Sequence, residues 1–241
     1  AAHSDSSSET GLPSVGHYIK KILLVSDNDG SNRLYELMGQ QYINEQLKAK
    51  GLSGTIINHR LSVPFSDEDN RYFNPIRFVD AVGKTLLALP ERQIAESYAN
   101  PDRPKLGKAY YQRGELIAQP MDFTYKNRQS LIDFDGVVKR ILMPQLFPGQ
   151  QRFNISESQR QFLLRYMRML PRQSQYPAYP ESEYPDTYVK YFLKGDAQQR
   201  LPEYIHYHNK NGQAYGHVID GAYIEDTMHG IAFFLTAIIY T

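Results

Sequence analysis

An α+β fold is what this sequence predicts: a helical body packed on an antiparallel sheet whose last three strands are C-terminal. Three observations lead there. Apolar residues recur at helical spacing from Ile19 through Leu24 and again at Leu34, Leu37 and Met38. From Tyr204 onward the pattern changes to β-branched and aromatic runs, Tyr204–Tyr207, Tyr215–Ile224 and Ile231–Tyr240, divided by turn residues. Helices come first and strands last, with no internal repeat between them. At 241 residues and 41% hydrophobic composition the chain can bury a sizeable core. It reads as one domain over 1–241, with residues 90–130 as an insertion carrying a β-hairpin.

Taken in order, the chain opens on a polar Ser/Asp-rich lead, Ala1 to Glu9, with the character of a loop entered midway. Pro13-Ser14 starts the first helix and Ser26-Asp27-Asn28 stops it. Asn28 or Asp29 is the expected cap of a second helix ending at Gly39, and Tyr42 to Lys50 forms a third, ended by Gly51. Thr55 to Ile57 reads as a short extended piece, and Arg60 to Pro75 as loop. A helix is expected over Phe78 to Leu89. Arg113-Gly114 marks a hairpin between Ala109–Tyr111 and Leu116–Ala118. Helical spacing resumes at Val137, Val138, Ile141 and Leu142, and after Ser156 at Phe162, Leu163, Tyr166 and Met167, a stripe that reads as core. Pro171 to Pro185 is a Pro- and Tyr-rich surface loop. Asn211-Gly212 is the expected turn after the first C-terminal strand, and Asp226 to Gly230 the turn before the last.

Composition removes several classes of function. A net charge of +1, from 27 basic and 26 acidic residues, supplies no field to hold nucleic acid or an anionic membrane surface. No run reaches the roughly 18 apolar residues of a membrane span. The chain has no cysteine, so disulfides and thiolate chemistry are excluded. Gly-rich phosphate-cradling loops are absent as well.

Two short polar stretches carry the chemistry. Ser26-Asp27-Asn28 sits at a corner between two apolar helices, and Lys210-Asn211-Gly212 lies late in the chain, placing a lysine at the end of an inner strand and a glycine beside it. A lysine next to a glycine that admits a ligand to the backbone makes an anion-recognising rim. In this order the two stretches resemble the S-D-N and K-T-G elements of the penicillin-recognising serine hydrolases, the class A β-lactamases and penicillin-binding proteins. The resemblance runs from about Ser14 to Tyr240. The pattern Asn209-Lys210-Asn211-Gly212-Gln213-Ala214-Tyr215-Gly216 looks most like serine hydrolases of Bacteroidetes-type bacteria.

The resemblance implies a β-lactamase/transpeptidase-like arrangement and an acyl-serine reaction on β-lactam or D-alanyl peptide amides, without metal or organic cofactor. Ser26 would pass a proton to the leaving nitrogen, Asn28 would hold the substrate's amide side chain, and Lys210 would hold its carboxylate. Gly212 would allow close approach, and the backbone N–H of Gln213 would serve as the oxyanion donor. The middle residue of the K-T-G triplet is usually a hydroxyl residue in this family, and here it is Asn211. A periplasmic or cell-envelope location, with a signal peptide outside this chain, goes with the same resemblance.

The family's nucleophile motif, S-x-x-K, is missing: Ser14 is followed by His17, Ser26 by Asp29 and Ser62 by Phe65, and no other serine has a lysine three residues on. The expectation is therefore a C-terminal portion of a longer protein, partnered by an N-terminal segment that carries the acylated serine and inactive by itself. The alternative is a non-catalytic envelope module of the same fold that binds peptidoglycan or a partner. A deacylating carboxylate would come from the Asp67–Asn70 loop. Taking Asn74 as the family's loop asparagine leaves Glu68 and Asp69 close by but out of register. His206 and His208 share a strand face and with His217 suggest a zinc triad, but no carboxylate falls at a supporting spacing and no metal site is assigned.

Overall fold

The computed structural model describes residues 3–195 and 199–240, so Ala1 and Ala2 of the polar lead lie outside it. Helices α1 (Val15–Val25), α2 (Asn28–Met38), α3 (Gln40–Ala49) and the one-turn α4 (Asp67–Asn70) come first. Eight short strands follow: β1 (Tyr72–Phe73), β2 (Ile76–Val79), β3 (Thr85–Leu89), β4 (Arg92–Gln93), β5 (Lys105–Leu106), β6 (Tyr110–Gln112), β7 (Glu115–Ile117) and β8 (Met121–Asp122). Then come α5 (Leu131–Leu142), α6 (Glu157–Arg168), the short α7 (Tyr191–Lys194) and the long strands β9 (Ile205–Ala214), β10 (His217–Asp226) and β11 (Ile231–Tyr240). The fold class is α+β, with the three C-terminal strands in one antiparallel sheet ordered β11-β10-β9. Two compact units divide the chain, one of residues 1–34 with 131–241 and one of residues 35–130.

In the first unit, Ser14 caps α1 by accepting the His17 N–H at 3.1 Å. Ser156 and Gln159 form a reciprocal capping box on α6. Helix α5 packs on β10 and β11, and α6 on β9. One sheet face buries Tyr207, Ala222 and Ile224 with Leu170 and Leu201. The other meets α5 at Gly221, where an added Cβ would stand 3.0 and 3.1 Å from the Phe134 ring. Gly221→Ala is therefore expected to destabilise the protein by about 1–3 kcal/mol through overpacking, measured as a lower urea midpoint at unchanged slope.

The second unit is held by side chains reaching backbone. Asn44 of α3 donates to Ile57 O at 2.8 Å and accepts the Ile57 N–H at 2.9 Å, fixing the extended piece that ends in an Ile56–Arg128 bridge. Arg60 is buried, and its guanidinium donates to Glu36 and to Tyr72 O. The hairpin around Arg113-Gly114 forms as expected, both turn residues having positive φ, 53° and 85°.

Three expectations are corrected. Phe78 to Leu89 is not helical but lies in the β2–β3 hairpin, because Asp80 accepts the Val82 and Lys84 N–H groups at 3.0 and 2.9 Å and Gly83 turns the chain at φ 84°. Asn211-Gly212 is not a turn: both lie inside β9, and the turn is Tyr215-Gly216, whose φ values of 52° and 76° suit a two-residue hairpin. The strand carrying Lys210 is consequently an edge strand of the sheet and not an inner one.

Candidate active site

The corner between α1 and α2 is built from the backbone outward. Ser26 closes α1 in the left-handed region at φ 56°, with its N–H bonded to Ile22 O at 3.1 Å. That conformation is usual for glycine at a helix end and strained for serine, and it turns the Ser26 hydroxyl out of the helix. Asp27, and neither Asn28 nor Asp29, caps α2: its Oδ1 accepts the Gly30 N–H at 2.6 Å. Its other oxygen lies 3.7 Å from Lys21 Nζ. Gly30 has no room for a side chain, since a Cβ would stand 3.1 Å from Tyr18 O and 3.2 Å from Asp27 Oδ1. Asn28 is exposed on the first turn of α2.

Strand β9 supplies the facing group. Lys210 Nζ donates to Ser26 Oγ at 2.7 Å, across 184 residues of sequence, and to Asn211 O at 2.5 Å. Burial pushes its pKa down to about 8, against the pull of Asp220. An ammonium has donors only, so the Ser26 oxygen accepts and the serine's own proton is left to point elsewhere.

Register decides what the edge of β9 offers. The Tyr215-Gly216 turn is flanked by the pair Ala214 and His217. In a two-residue hairpin that flanking pair is hydrogen-bonded, and bonded and non-bonded pairs alternate from there. Gln213, Asn211, Asn209 and Tyr207 then aim their N–H and C=O groups away from β10 toward the open edge. Two bonds agree with this, because Lys210 Nζ reaches Asn211 O and Lys190 Nζ reaches Tyr207 O. The Gln213 N–H accordingly faces the edge beside Lys210. Gly212 keeps the strand slim, an added Cβ there standing 3.1 Å from Ile219.

Behind this edge lies a buried polar network that sequence reasoning missed. Lys190 is completely buried, with Nζ donating to Met167 O at 2.9 Å, Tyr207 O at 2.8 Å and Asn209 Oδ1 at 2.8 Å. Burial drives its pKa down to about 7, opposed by Asp220 and Asp186. Asp220 accepts from Asn209 at 2.7 Å, from the Tyr207 hydroxyl at 2.6 Å and from the Tyr191 N–H at 3.0 Å. Its own pKa is raised, burial outweighing these bonds. Asn211 turns to the same face and donates to the Tyr191 hydroxyl at 2.7 Å. A signal was present in the sequence: Asp220 is a lone charge in the run His217 to Ile224, and Lys190 stands between Val189 and Tyr191-Phe192-Leu193.

Other sequence candidates remain. Glu68 and Asp69 belong to α4 in the second unit, both exposed. Asp69 closes a capping box with Ser66, whose hydroxyl and N–H it accepts at 2.6 and 2.9 Å and which hold its carboxyl below the usual range. Asn74 donates from its backbone and side chain to Glu36, a carboxylate that no motif flagged. His208 stands opposite Tyr223, whereas His217 is opposite Ala214 at the far end of the hairpin, so the three strand histidines do not converge.

Among known proteins, the Beta-lactamase enzyme family matches residues 4–99, less than half of the chain, in a span that includes Ser26-Asp27-Asn28. No curated protein matches. Among solved structures the chain is similar to a β-lactamase from Sphaerobacter thermophilus DSM 20745, at 14% identity and a TM-score of 0.45, over 95% of this chain and 55% of that one. The chain thus spans about half the length of that protein.

Proposed function

We propose that this chain forms part of a β-lactamase-like serine hydrolase that opens β-lactam or D-alanyl peptide amides through an acyl-serine, with the nucleophile outside these 241 residues. The observation that carries this reading is the 2.7 Å bond from Lys210 Nζ to Ser26 Oγ, which joins the two motif stretches into one cleft wall. The family match over residues 4–99 supports it. In this reading the hydroxyl oxygen of the nucleophilic serine attacks the amide carbon, the C–N bond breaks, and the leaving nitrogen takes the Ser26 proton while the nucleophile's own proton replaces it on Ser26 Oγ, so that Ser26 ends the step as it began. Gln213 N–H bonds the developing oxyanion, and Lys210 attracts the substrate carboxylate. Asn28, exposed beside the corner, would hold the substrate's amide side chain, and Gly212 leaves room for it. A periplasmic or envelope location suits such a substrate, and among the described residues no helix is long and apolar enough to cross a membrane.

The test is acylation of the full-length protein by a fluorescent penicillin as a function of pH. Lys210 must be charged to hold both the carboxylate and the Ser26 oxygen, so labelling should be retained below about pH 8 and fall as pH rises through it. Stability runs the other way. The folded pKa is below the ordinary 10.5, so the folded state binds fewer protons between about 8 and 10.5 and gains stability as pH rises through that window. A labelling rate that is flat from pH 6 to 10 removes Lys210 from the reaction.

A second reading, a non-catalytic envelope module that binds peptidoglycan or a partner, is favoured by one observation, the absence of any serine with a lysine three residues on. Reading the gene on the N-terminal side of Ala1 separates the two. An S-x-x-K there supports the enzyme, and a stop codon or unrelated domain immediately before Ala1 supports the module.

A further inference from the structure

Tyr191 is placed with unusual care for a residue in a one-turn helix. The residue before it, Lys190, is fixed through Nζ at three acceptors, and the Tyr191 N–H is bonded to the buried Asp220 at 3.0 Å. Its ring reaches back to β9, where the hydroxyl accepts from Asn211 Nδ2 at 2.7 Å. A phenolic hydroxyl that accepts one bond still has a proton to donate, and among the described residues no acceptor stands against it.

Lys210 borders the same amide from the other side. Two of its N–H groups are directed at Ser26 Oγ and Asn211 O, and Asn211 Oδ1 lies 3.4 Å away, too long for a good bond. Asn211 cannot itself serve a ligand well: it is 7% exposed and its amide N–H is engaged by Tyr191. A carboxylate lying over this amide therefore meets two unsatisfied donors, one ammonium N–H and one phenolic O–H, and it has two oxygens to offer them.

We propose that the Tyr191 hydroxyl is the second donor for the substrate carboxylate, acting with Lys210 across Asn211. This makes Tyr191 a substrate-binding residue that selects carboxylate-bearing substrates, and it rests on the hydrolase reading above. Lys190 and Asp220 are positioning residues for it, because they fix the backbone leading into the Cα that carries the ring, Lys190 as the preceding residue and Asp220 through the Tyr191 N–H.

The test uses the full-length protein and two probes, a fluorescent penicillin and the same molecule with its carboxylate methyl-esterified. With the free acid, Tyr191→Phe is expected to raise the half-saturating concentration about tenfold, as loss of one bond to a charged group does, while the limiting acylation rate changes little. With the ester, wild type and Tyr191→Phe should label alike. Equal half-saturating concentrations for the free acid overturn the inference and leave the hydrolase reading intact. An equal loss with acid and ester also overturns it, since the ring would then be only structural. If the wild-type protein labels with neither probe, the hydrolase reading fails and this inference fails with it.

Discussion

Asp220→Ala is expected to lower stability by about 3–5 kcal/mol, the range for removing one partner of a buried charged network. The carboxylate is 2% exposed and accepts three bonds, from Asn209, Tyr207 and the Tyr191 backbone. Alanine leaves those donors without an acceptor in a place water does not reach, and it leaves the completely buried Lys190 without the first of the charges that oppose its desolvation. Urea denaturation measures the loss. Asp220→Asn keeps the shape and part of the bonding but not the charge, so the loss that remains there is assigned to Lys190 and the further loss in Asp220→Ala to the bonds. A change under about 1 kcal/mol for Asp220→Ala contradicts the network's role, because an isolated surface carboxylate would give no more than that.

The second large effect is functional. Lys210→Ala in the full-length protein is expected to slow penicillin acylation by about 100-fold or more, whereas Ser26→Ala slows it by about 10- to 100-fold. The order follows from the geometry. In the proposed reaction Lys210 supplies charge to the carboxylate and also directs the Ser26 oxygen, to which it is bonded, so its loss removes two contributions at once. Loss of the Ser26 hydroxyl removes the proposed proton route, for which water can partly substitute. Stopped-flow labelling of both variants checks this, with far-UV circular dichroism confirming that each is folded. A Lys210→Ala protein that labels at the wild-type rate contradicts the assignment.

Much of the body was legible because it obeys local rules. Ser14 and Ser156 announce helix starts, Gly39 and Gly51 announce ends, and the β-branched runs from Tyr204 to Tyr240 announce strands. The pairing of Ser26 with Lys210 was legible only through the order of the two motifs, and their side chains do meet. Other features were hidden for physical reasons. Phe78 to Leu89 contains apolar residues at both 2- and 3.6-residue spacings, and only the Asp80 and Gly83 turn chemistry decides for a hairpin. The turn fell at Tyr215-Gly216 because β9 continues through Asn211-Gly212, and a local Asn-Gly signal does not know its register. Lys190 and Asp220 escaped the sequence reading, since their burial exists only once β9, β10 and the segment before α7 come together. Tyr191 meets Asn211 for the same tertiary reason.

The central claim is an acyl-serine formed opposite the Lys210 and Ser26 wall. Peptide mapping by mass spectrometry after saturating the full-length protein with penicillin tests it most directly. One covalent adduct is expected, on a serine outside residues 1–241 that is followed three residues later by lysine, and the Lys210→Ala protein should carry little of it. No adduct at saturating ligand, or an adduct on a serine within residues 1–241, would contradict the claim.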